Sequence, residues 1–498
     1  MRPPNSFVLE PPNNRGMNLT NLDRDAFTLK IAALAAKVPA SQVSKFRKDL
    51  QGAVLILPKV PSIVEDPTDK EFRLLLLDRA KREELPSELL NVIEVNKLET
   101  KPHLISLGYE YWNAAQILRA MLPEALIGDL PTSFTIVGHI AHFNLREGYL
   151  PYKYLIGQVT LDKNHAIETV VNKLDTIDNE FRFFQMEVLA GRPDFMVDTH
   201  ECGCRFRFDF SKVYWNSRLQ AEHARLVASF DKEDVVCDGF AGVGPFAIPA
   251  AKKGCLGVLS NDLNPASAQS CEENAILNKT QDRIRNYNDD GRRFFRQAVR
   301  DVYYDPFKPR TELHLSANKA GKKARRERQQ NMVEPLARAD CSVEPLRSGE
   351  QNRASSPTPS PALGKFIDHF ILNLPASAID FLDSFQGIYA SVWQRPGSSK
   401  ENFMEDLAAY SQARGKADDV RLPMVHCYCF TKSLDEYEKD ICQRASTSLG
   451  FVVSARTVQD YSLSLVRSVA PKKDMYRLSF RLPKEVVFGL AIPLKEET

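Results

Sequence analysis

The chain has 498 residues, of which 43% are hydrophobic and 26% are charged, the composition of an ordinary globular protein with roughly two to four domains. Its 66 basic and 64 acidic residues give a formal net charge of +2, which excludes a global polyanion-binding signature, so any nucleic-acid surface must come from local clustering. The sequence contains no apolar run of about 18 residues and no apolar segment near its N-terminus, so we expect neither a membrane span nor a secretory signal.

The nine cysteines are scattered along the chain, which is typical of reduced thiols in an intracellular compartment. Two pairs, Cys202 with Cys204 and Cys427 with Cys429, are each separated by a single residue. Zinc sites usually separate their cysteine ligands by about two to four residues, whereas this spacing places both sulfurs on one face of a strand. We therefore predict buried structural cysteines and no metal site.

The N-terminal part of the chain divides into three segments. Residues 1–25 are rich in Pro and Asn and are predicted to be disordered. Residues 26–130 alternate a helical pattern, DAFTLKIAALAAKV, with the strand-like runs GAVLILPKV and FRLLLL, and predict a small α/β module. Residues 131–217 begin with the strand-like run SFTIVGHIAHFNL and predict a second α/β module. The first module contains no residue pattern that indicates a chemistry by itself.

Residues 218–498 alternate strands and helices. The strand candidates are, in chain order, DVVCDGF, LGVLSNDL, RIRNYNDD, HFILNLP, MVHCYCF, GFVVSARTV and MYRLSFRL. The first of these are short apolar runs separated by helical segments, which indicates βαβ units and a doubly wound, mostly parallel sheet. No long helix separates the last two, so we expect them to form an antiparallel pair.

One segment, residues 307–363, interrupts this alternation. It begins with KPRTELHLSANKAGKKARRERQQ, which holds eight Lys or Arg against two Glu, and continues without periodicity through NRASSPTPSPALG. Such a composition predicts a disordered insertion between the third and fourth strands. On composition alone, a solvated loop is favoured over a nuclear-import or RNA-attracting basic patch.

A glycine-rich loop follows the first strand of this region, in the stretch VCDGFAGVGPFAIPAA. Gly242 and Gly244 open the string G-x-G-x-x-A, which fits a dinucleotide loop as well as a loop for S-adenosylmethionine (AdoMet). The acid expected about 20 residues later is present as Asp262, but both cofactors offer a ribose diol at that position, so this residue does not separate the two readings.

Two other features favour AdoMet over a dinucleotide. Asp238 precedes the glycines, where it would face the ammonium of AdoMet but would repel a pyrophosphate. Asp290 and Gly291 end the third strand, where an acid lies near the adenine in AdoMet enzymes. Each Asp alone fits a helix cap or a turn equally well, but acids at three successive strand ends indicate one site. Leu263, next to Asp262, completes this candidate cofactor set.

The fourth strand ends in Asn373-Leu374-Pro375. In a doubly wound sheet this strand neighbours the first across the switch point, so Asn373 is expected to face the methyl group of AdoMet. A side-chain amide and a carbonyl beside a rigid proline can hold the edge of a nucleobase. The competing interpretation of Asn373 is an ordinary helix cap before proline.

The chain strongly resembles the eukaryotic and archaeal tRNA (guanine37-N1)-methyltransferase family from about residue 130 to 300 and from 366 to about 485. The resemblance rests on GHIAHFNLREGYLPYKYLIGQVTLDKN, TVVNKLDTIDNEFRFFQMEVLAG, FDFSKVYWNSRLQAEHARLV, DGFAGVGPF, NDLNP, DDGR and NLP. It implies a Rossmann-type enzyme that uses AdoMet to methylate N1 of the guanosine 3′ to the anticodon of tRNA. In the family this methylation supports the reading frame and begins wybutosine synthesis.

The resemblance also implies partners and compartments. The module at 26–130 would read the outer corner of the tRNA, while the anticodon loop enters the active site. Family members are mostly monomeric and are found in the cytoplasm, the nucleus and the mitochondrial matrix, and we expect the same of this chain.

The same resemblance assigns roles to residues outside the loop. It implies that Glu222 is the general base for N1, that Arg182 stabilises negative charge on O6, and that His223 contacts the cofactor. Taken alone, Glu222 lies between Arg218 and Arg225 on a helix, which is typical of a solvated ion-pair face.

Three further residues are predicted to bind the substrate base. Tyr214 and Trp215 in KVYWNSR are candidates to stack on the flipped guanine, with ordinary core packing as the alternative. Pro375 is expected to lie beside the same base.

Four other functions were weighed. The sister wybutosine enzymes transfer the aminocarboxypropyl group of the same cofactor, but Glu222 and Arg182 together with NLP favour methyl transfer. The N-terminal modules argue against a protein or small-molecule methyltransferase. A non-catalytic tRNA-binding protein would be expected to have lost Asp238, Asp262 or Asn373. The acid at 238 speaks against an NAD-dependent dehydrogenase.

Overall fold

The computed structural model describes residues 9–15, 22–174, 185–308, 363–415 and 420–490. Arg182 lies outside these residues, as do positions 309–362 of the predicted insertion and most of the predicted disordered N-terminus. The described residues form two compact units, the first within residues 1–174 and 185–194 and the second within residues 195–498. Residues 195–217, which were predicted to form one module with residues 131–194, therefore fall in the second unit.

The first unit is built from short strands and helices. Its strands are β1 (Leu29–Pro39), β2 (Ile63–Glu65), β3 (Phe72–Leu77), β4 (Glu99–Leu107), β5 (Thr135–Val137), β6 (Ile140–Phe143), β7 (Thr169–Lys173) and β8 (Met186–Gly191). Its helices are α1 (Val43–Asp49), α2 (Ser87–Val95), α3 (Ala114–Met121) and α4 (Lys153–Lys163).

These strands form two sheets. The first has the antiparallel order β2-β3-β1-β4. The second has the order β5-β6-β7-β8, in which only the β6–β7 pair is parallel. One hydrophobic core joins Trp112 and Leu118 to Phe143 and Val159, and it therefore crosses the predicted boundary between residues 130 and 131.

Two segments of the first unit differ from the sequence prediction. DAFTLKIAALAAKV was predicted to be helical, but most of it forms β1, because Ala33 and Ala35 pack into one core while Leu34 and Ala36 pack into another. A strand buried on both faces is a continuous apolar run, and periodicity alone does not separate such a run from a helix. GAVLILPKV, predicted to be a strand, makes only isolated bridges, whereas FRLLLL forms β3 as expected.

The second unit holds the remaining elements. Its strands are β9 (Met196–Glu201), β10 (Cys204–Asp209), β11 (Val235–Asp238), β12 (Gly257–Asn261), β13 (Ile284–Tyr287), β14 (His369–Leu372), β15 (Met424–Thr431), β16 (Ser462–Ala470) and β17 (Lys473–Arg481). Its helices are α5 (Gln220–Ala228), α6 (Ala247–Lys253), α7 (Pro265–Leu277), α8 (Gly291–Tyr304), α9 (Ala390–Trp393), α10 (Lys400–Ala413), α11 (Tyr437–Leu449) and α12 (Lys484–Phe488).

A seven-stranded sheet with the order β13-β12-β11-β14-β15-β17-β16 is the centre of this unit. Strands β11 to β15 are mutually parallel, and β17 runs antiparallel to both of its neighbours. The first strand, β11, pairs with both β12 and β14, so the switch point lies at its carboxyl end. This arrangement confirms the predicted doubly wound α/β fold.

One strand prediction in this unit is wrong. GFVVSARTV, predicted to be a strand, forms turns, because the backbone N–H of Ser454 donates to the Thr457 hydroxyl at 3.0 Å and the Thr457 N–H donates back to the Ser454 carbonyl at 3.1 Å. The strand that pairs with β17 is β16, which begins a few residues later. The predicted antiparallel pair is therefore present, but its first strand is β16 and not GFVVSARTV.

Among the helices that the structure describes, none is both long and apolar enough to cross a membrane.

Candidate active site

The loop between β11 and α6 favours glycine at two positions for different reasons. Gly242 has φ +55° with open space around it, so only its backbone conformation disfavours other residues. Gly244 has φ +96°, and a Cβ placed there would lie 2.7 Å from Ile248 Cγ1 and 3.0 Å from Cys271 Sγ. The second glycine therefore brings the loop close to the start of the following helix.

Asp262 holds this loop from the end of β12. One of its carboxylate oxygens accepts the Gly242 N–H at 2.8 Å, and the other accepts the Asn264 N–H at 2.9 Å. Burial raises the pKa of Asp262 to about 6, although both hydrogen bonds oppose the rise. The predicted ribose-binding acid thus lies against the loop, and its oxygens are already hydrogen-bonded to backbone N–H groups.

Asp238 ends β11 and is completely buried. Its Oδ1 accepts a long hydrogen bond of 3.4 Å from the Phe240 N–H, and its Oδ2 has no hydrogen-bond partner among the described residues. Burial raises the pKa of this carboxyl from 3.8 to about 8, with a further contribution from the nearby charge of Asp262. An unpaired buried carboxyl is costly, and a cationic ligand such as an ammonium group would compensate it.

Asn261, the last residue of β12, was not predicted from the sequence as a site residue. Its side-chain amide donates to the Gly239 carbonyl at 3.1 Å and to the Asp289 carbonyl at 2.9 Å, and its Oδ1 accepts the Asp289 N–H at 2.9 Å. Asn261 thus joins the ends of three neighbouring strands. Its position directly before Asp262 in SNDLNP was the only available signal.

Asp290 caps α8. Its Oδ1 accepts the N–H groups of Arg292 and Arg293 at 3.0 and 3.3 Å, as in an ordinary helix N-cap. Gly291 begins that helix, and Leu263 is partly exposed beside Asp262. In this structure Asp290 therefore acts as a helix cap, the alternative given for it above. The roles of Asp290, Gly291 and Leu263 near the adenine stay predictions.

Asn373 follows β14, the parallel neighbour of β11. Its Oδ1 is buried and has no partner in the part of the chain that the structure describes. The N-cap of the next helical turn is Ser377, so Asn373 does not act as that cap. The carbonyl of Pro375 accepts the Phe430 N–H at 2.9 Å, which anchors NLP to the end of β15.

Glu222 lies on the buried face of α5 in a network of donors. Its Oε1 accepts the Tyr428 hydroxyl at 2.8 Å and Arg477 Nη1 at 3.0 Å, and its Oε2 accepts Arg225 Nε at 2.7 Å. The predicted pairing with Arg225 is present, but the group is buried rather than solvated. Tyr428 and Arg477 were missed because they come from β15 and β17, far away in the chain.

This network limits how Glu222 can act. A carboxylate offers about four lone-pair sites, and Arg225 Nη2 also contacts Oε2 at 2.6 Å, so the acceptor capacity of the group is filled. A guanine N1–H would have to displace one of these donors before Glu222 could accept its proton. The base role stays a prediction with this added requirement.

His223, next to Glu222, is also buried. Its Nδ1 is hydrogen-bonded to Glu201 of β9, and its ring meets the Phe246 ring edge to face with 4.6 Å between the centroids. Its Nε2 is buried without a partner among the described residues. Phe246 follows Gly244 by two residues, so His223 lies beside the cofactor loop.

The two predicted stacking residues have different surroundings. The Trp215 ring is buried, with its centroid 5.3 Å from that of Phe206 and 5.1 Å from that of Phe208, so its environment is that of a core residue. Tyr214 is 39% exposed, and its hydroxyl accepts Asn216 Nδ2 at 3.3 Å. Of the two, only Tyr214 is exposed, so its stacking role stays a prediction.

Cysteine placement follows the prediction at three of the four paired positions. Cys204, Cys427 and Cys429 are buried, whereas Cys202 is half-buried in a hairpin turn. Within the described residues, no group of three or more His, Cys, Asp or Glu side chains is arranged to hold a metal ion.

Comparison with known protein families gives two matches. Residues 114–194 match the TYW2 N-terminal domain, and residues 198–316 match the TRM5/TYW2 methyltransferase domain. A solved structure described as the complex of aTrm5 and tRNALeu superimposes with a TM-score of 0.52 at 18% identity, covering 90% of this chain and all of that one. At this identity the likeness concerns the fold alone.

Curated relatives are closer in sequence. A tRNA (guanine(37)-N(1))-methyltransferase of Cryptococcus neoformans is 45% identical over 97% of this chain and 89% of its own length. The enzyme of the same description from Schizosaccharomyces pombe is 41% identical over 95% of this chain and 96% of its own length. These matches confirm the resemblance predicted from the sequence, and the chain belongs to the tRNA (guanine(37)-N(1))-methyltransferase family.

Proposed function

We propose that this protein transfers the methyl group of AdoMet to N1 of guanosine 37 in tRNA. The observation that carries the proposal is a set of three buried polar atoms around one loop, each without a partner among the described residues: Asp238 Oδ2, His223 Nε2 and Asn373 Oδ1. Buried polar atoms are normally hydrogen-bonded, so unpaired ones around a glycine-rich loop at the switch point indicate a ligand site.

The residues of the site fit the chemistry of AdoMet. Asp238 can pair with the ammonium group, and Asp262 can bind the ribose hydroxyls once they replace the backbone N–H of Gly242. Asp290 and Gly291 would border the adenine. When bound, AdoMet supplies an electrophilic methyl group on a sulfonium.

The protein's own task is to prepare guanine N1. This nitrogen carries a proton, so its lone pair becomes available only when that proton is removed and the negative charge on O6 is stabilised. Glu222 would take the proton, Arg182 would stabilise O6, and Asn373 with Pro375 would hold the base edge. Tyr214 would stack on the flipped base, which compensates part of the unstacking cost.

The test is methyl incorporation from labelled AdoMet into tRNA transcripts that carry G or A at position 37. We expect incorporation only into the G transcript, and a drop of about 100-fold or more in the single-turnover rate of Glu222→Gln, the usual cost of losing a general base. Glu272→Gln, an exposed change on α7, serves as the matched control and should retain the wild-type rate. Equal incorporation into both transcripts would refute the assignment of the target base.

A second candidate function is transfer of the aminocarboxypropyl group of the same cofactor to the wybutosine precursor. It is kept because the two matching domain descriptions name both enzyme groups. Mass analysis of the modified nucleoside separates the two reactions. Methyl transfer adds only a methyl group and leaves the amino-acid portion on the cofactor product, whereas the second reaction adds the aminocarboxypropyl group to the nucleoside.

We further propose that the protein acts as a monomer and serves tRNA in the cytoplasm, the nucleus and the mitochondrial matrix. Residues 26–130 would contact the outer corner of the tRNA. Sedimentation of the purified chain with and without tRNA, together with fractionation of cells that express a tagged copy, would test these points.

A further inference from the structure

Glu201 is a buried carboxylate whose side chain makes one polar contact within the described residues. It ends β9 and is 3% exposed, and its Oε1 is hydrogen-bonded to Nδ1 of His223, which is equally buried. Taking a carboxylate out of water is costly, so a buried one usually has a specific partner to hold.

The surrounding hairpin holds Glu201 in a defined position. Cys202 and Gly203 form a two-residue turn in which both have positive φ, +50° and +70°, the arrangement of a tight type I′ hairpin. Lys252 at the end of α6 donates to the Gly203 carbonyl at 2.5 Å. The pair of cysteines singled out in the sequence thus marks a turn that is fastened to the helix after the cofactor loop.

The contact with Glu201 determines which nitrogen of His223 faces the loop as an acceptor. A carboxylate only accepts hydrogen bonds, so the His223 Nδ1 must carry the proton. In a neutral imidazole the other nitrogen then keeps its lone pair. That nitrogen, Nε2, is the buried atom without a partner beside Phe246 and the glycine-rich loop.

We propose that Glu201 is a positioning residue for AdoMet: it holds the His223 proton on Nδ1 so that Nε2 accepts a hydrogen bond from a donor group of the bound cofactor. The inference rests on the proposed function, because it takes AdoMet as the ligand of the loop. The donor groups of AdoMet that qualify are the ammonium and the ribose hydroxyls. Glu201 itself touches neither cofactor nor tRNA in this scheme.

The test measures AdoMet affinity by calorimetry and methyl transfer at saturating AdoMet for Glu201→Gln, His223→Gln and the double variant. Asp198→Asn is the matched control, because Asp198 lies on the same strand and pairs with the exposed Arg205 instead. We expect Glu201→Gln to weaken AdoMet binding about tenfold with little change in the rate at saturation, and Asp198→Asn to leave both unchanged.

A double-mutant cycle separates positioning from a general structural role. If Glu201 acts through His223, the double variant binds AdoMet no more weakly than His223→Gln alone. Multiplied losses in the double variant, or an unchanged affinity in Glu201→Gln, would overturn the inference. If wild-type protein fails to bind AdoMet at all, the proposed function fails instead, so the two failures are distinguishable.

A second measurement does not depend on the folding of any Glu201 variant. Nitrogen-15 imidazole spectra of the wild-type protein at pH 8, with the His223 signals identified by their loss in His223→Gln, report which ring nitrogen carries the proton. We expect the proton on Nδ1 and a shift of the Nε2 resonance when AdoMet is added. A proton on Nε2, with or without one on Nδ1, or an Nε2 resonance that does not shift at saturating AdoMet, would refute the assignment.

Discussion

Replacing Asp238 by Asn should stabilise the ligand-free protein while weakening its binding of AdoMet. The carboxyl is completely buried, one of its oxygens has no partner among the described residues, and burial raises its pKa from 3.8 to about 8. The folded protein therefore binds a proton at neutral pH that the unfolded chain does not.

The size of this effect follows from proton linkage. At pH 7 the carboxyl is 3.2 pH units above its ordinary pKa of 3.8, and at about 1.36 kcal/mol per unit the folded state is destabilised by about 4 kcal/mol. Asn removes this penalty but leaves a buried amide N–H group that costs about 1–3 kcal/mol without an acceptor. The net gain at pH 7 is then about 1–3 kcal/mol.

The sign of the pH dependence is specific. A carboxyl whose folded pKa lies above its unfolded pKa destabilises the protein increasingly as the pH rises from about 4 to about 8. The stability advantage of the Asp238→Asn variant should therefore widen by up to about 4 kcal/mol between pH 5 and pH 8. Asp282→Asn, an exposed change in the connection before β13, should show no such trend.

The assay is urea unfolding at several pH values, combined with AdoMet titration calorimetry in buffers of different ionisation enthalpy. Binding of the cofactor ammonium should ionise Asp238, so wild-type protein should release up to one proton more per AdoMet near neutral pH than the Asp238→Asn variant. A stability difference that is the same at pH 5 and pH 8, together with equal proton release, would show that Asp238 is already ionised and would refute the reasoning.

Five further substitutions, at four positions, test other parts of the site. Gly244→Ala should lower the unfolding free energy by about 2–4 kcal/mol and abolish AdoMet binding, because the added Cβ would lie 2.7 Å from a side-chain carbon. Gly242→Ala should lower the unfolding free energy by only about 1–2 kcal/mol. Equal urea midpoints for the two variants would contradict this prediction. Tyr428→Phe should lower the unfolding free energy by about 1 kcal/mol but keep the methyl-transfer rate within a few-fold of wild type, since it frees an acceptor site on Glu222. A loss of rate as large as that of Glu222→Gln would show that the hydroxyl takes part in the reaction. Asp290→Ala should lower the unfolding free energy by about 1 kcal/mol through loss of the helix cap, and Asp290→Ser should restore it. If AdoMet affinity falls equally in both variants, the acid has the predicted cofactor role as well.

The parts of the fold that the sequence predicted correctly are those encoded locally. The first four strands of the large sheet are short, and each ends in Asp or Asn or is followed directly by Asn, and the structure places them in the expected order around β11. The glycine loop was equally readable, because positive φ at Gly242 and Gly244 is a property of the residues themselves.

The predictions that were wrong or incomplete concern features that depend on contacts between distant parts of the chain. β1 was mistaken for a helix because its two faces are buried in two separate cores, so its apolar residues show no period. Two of the three partners of Glu222 could not be found, since Tyr428 and Arg477 are brought to it by strands more than 200 positions later.

By itself, the sequence determined the family, the doubly wound sheet and the loop that holds the cofactor, because glycines, strand-end acids and short apolar runs act within a few residues of one another. Only the tertiary structure decided the state of the reactive groups. Burial without a partner raises the pKa of Asp238, the Arg225–Tyr428–Arg477 network saturates Glu222, and Glu201 selects the nitrogen that His223 presents. Burial and pairing depend on residues that meet only when the chain is folded, and no local pattern records them.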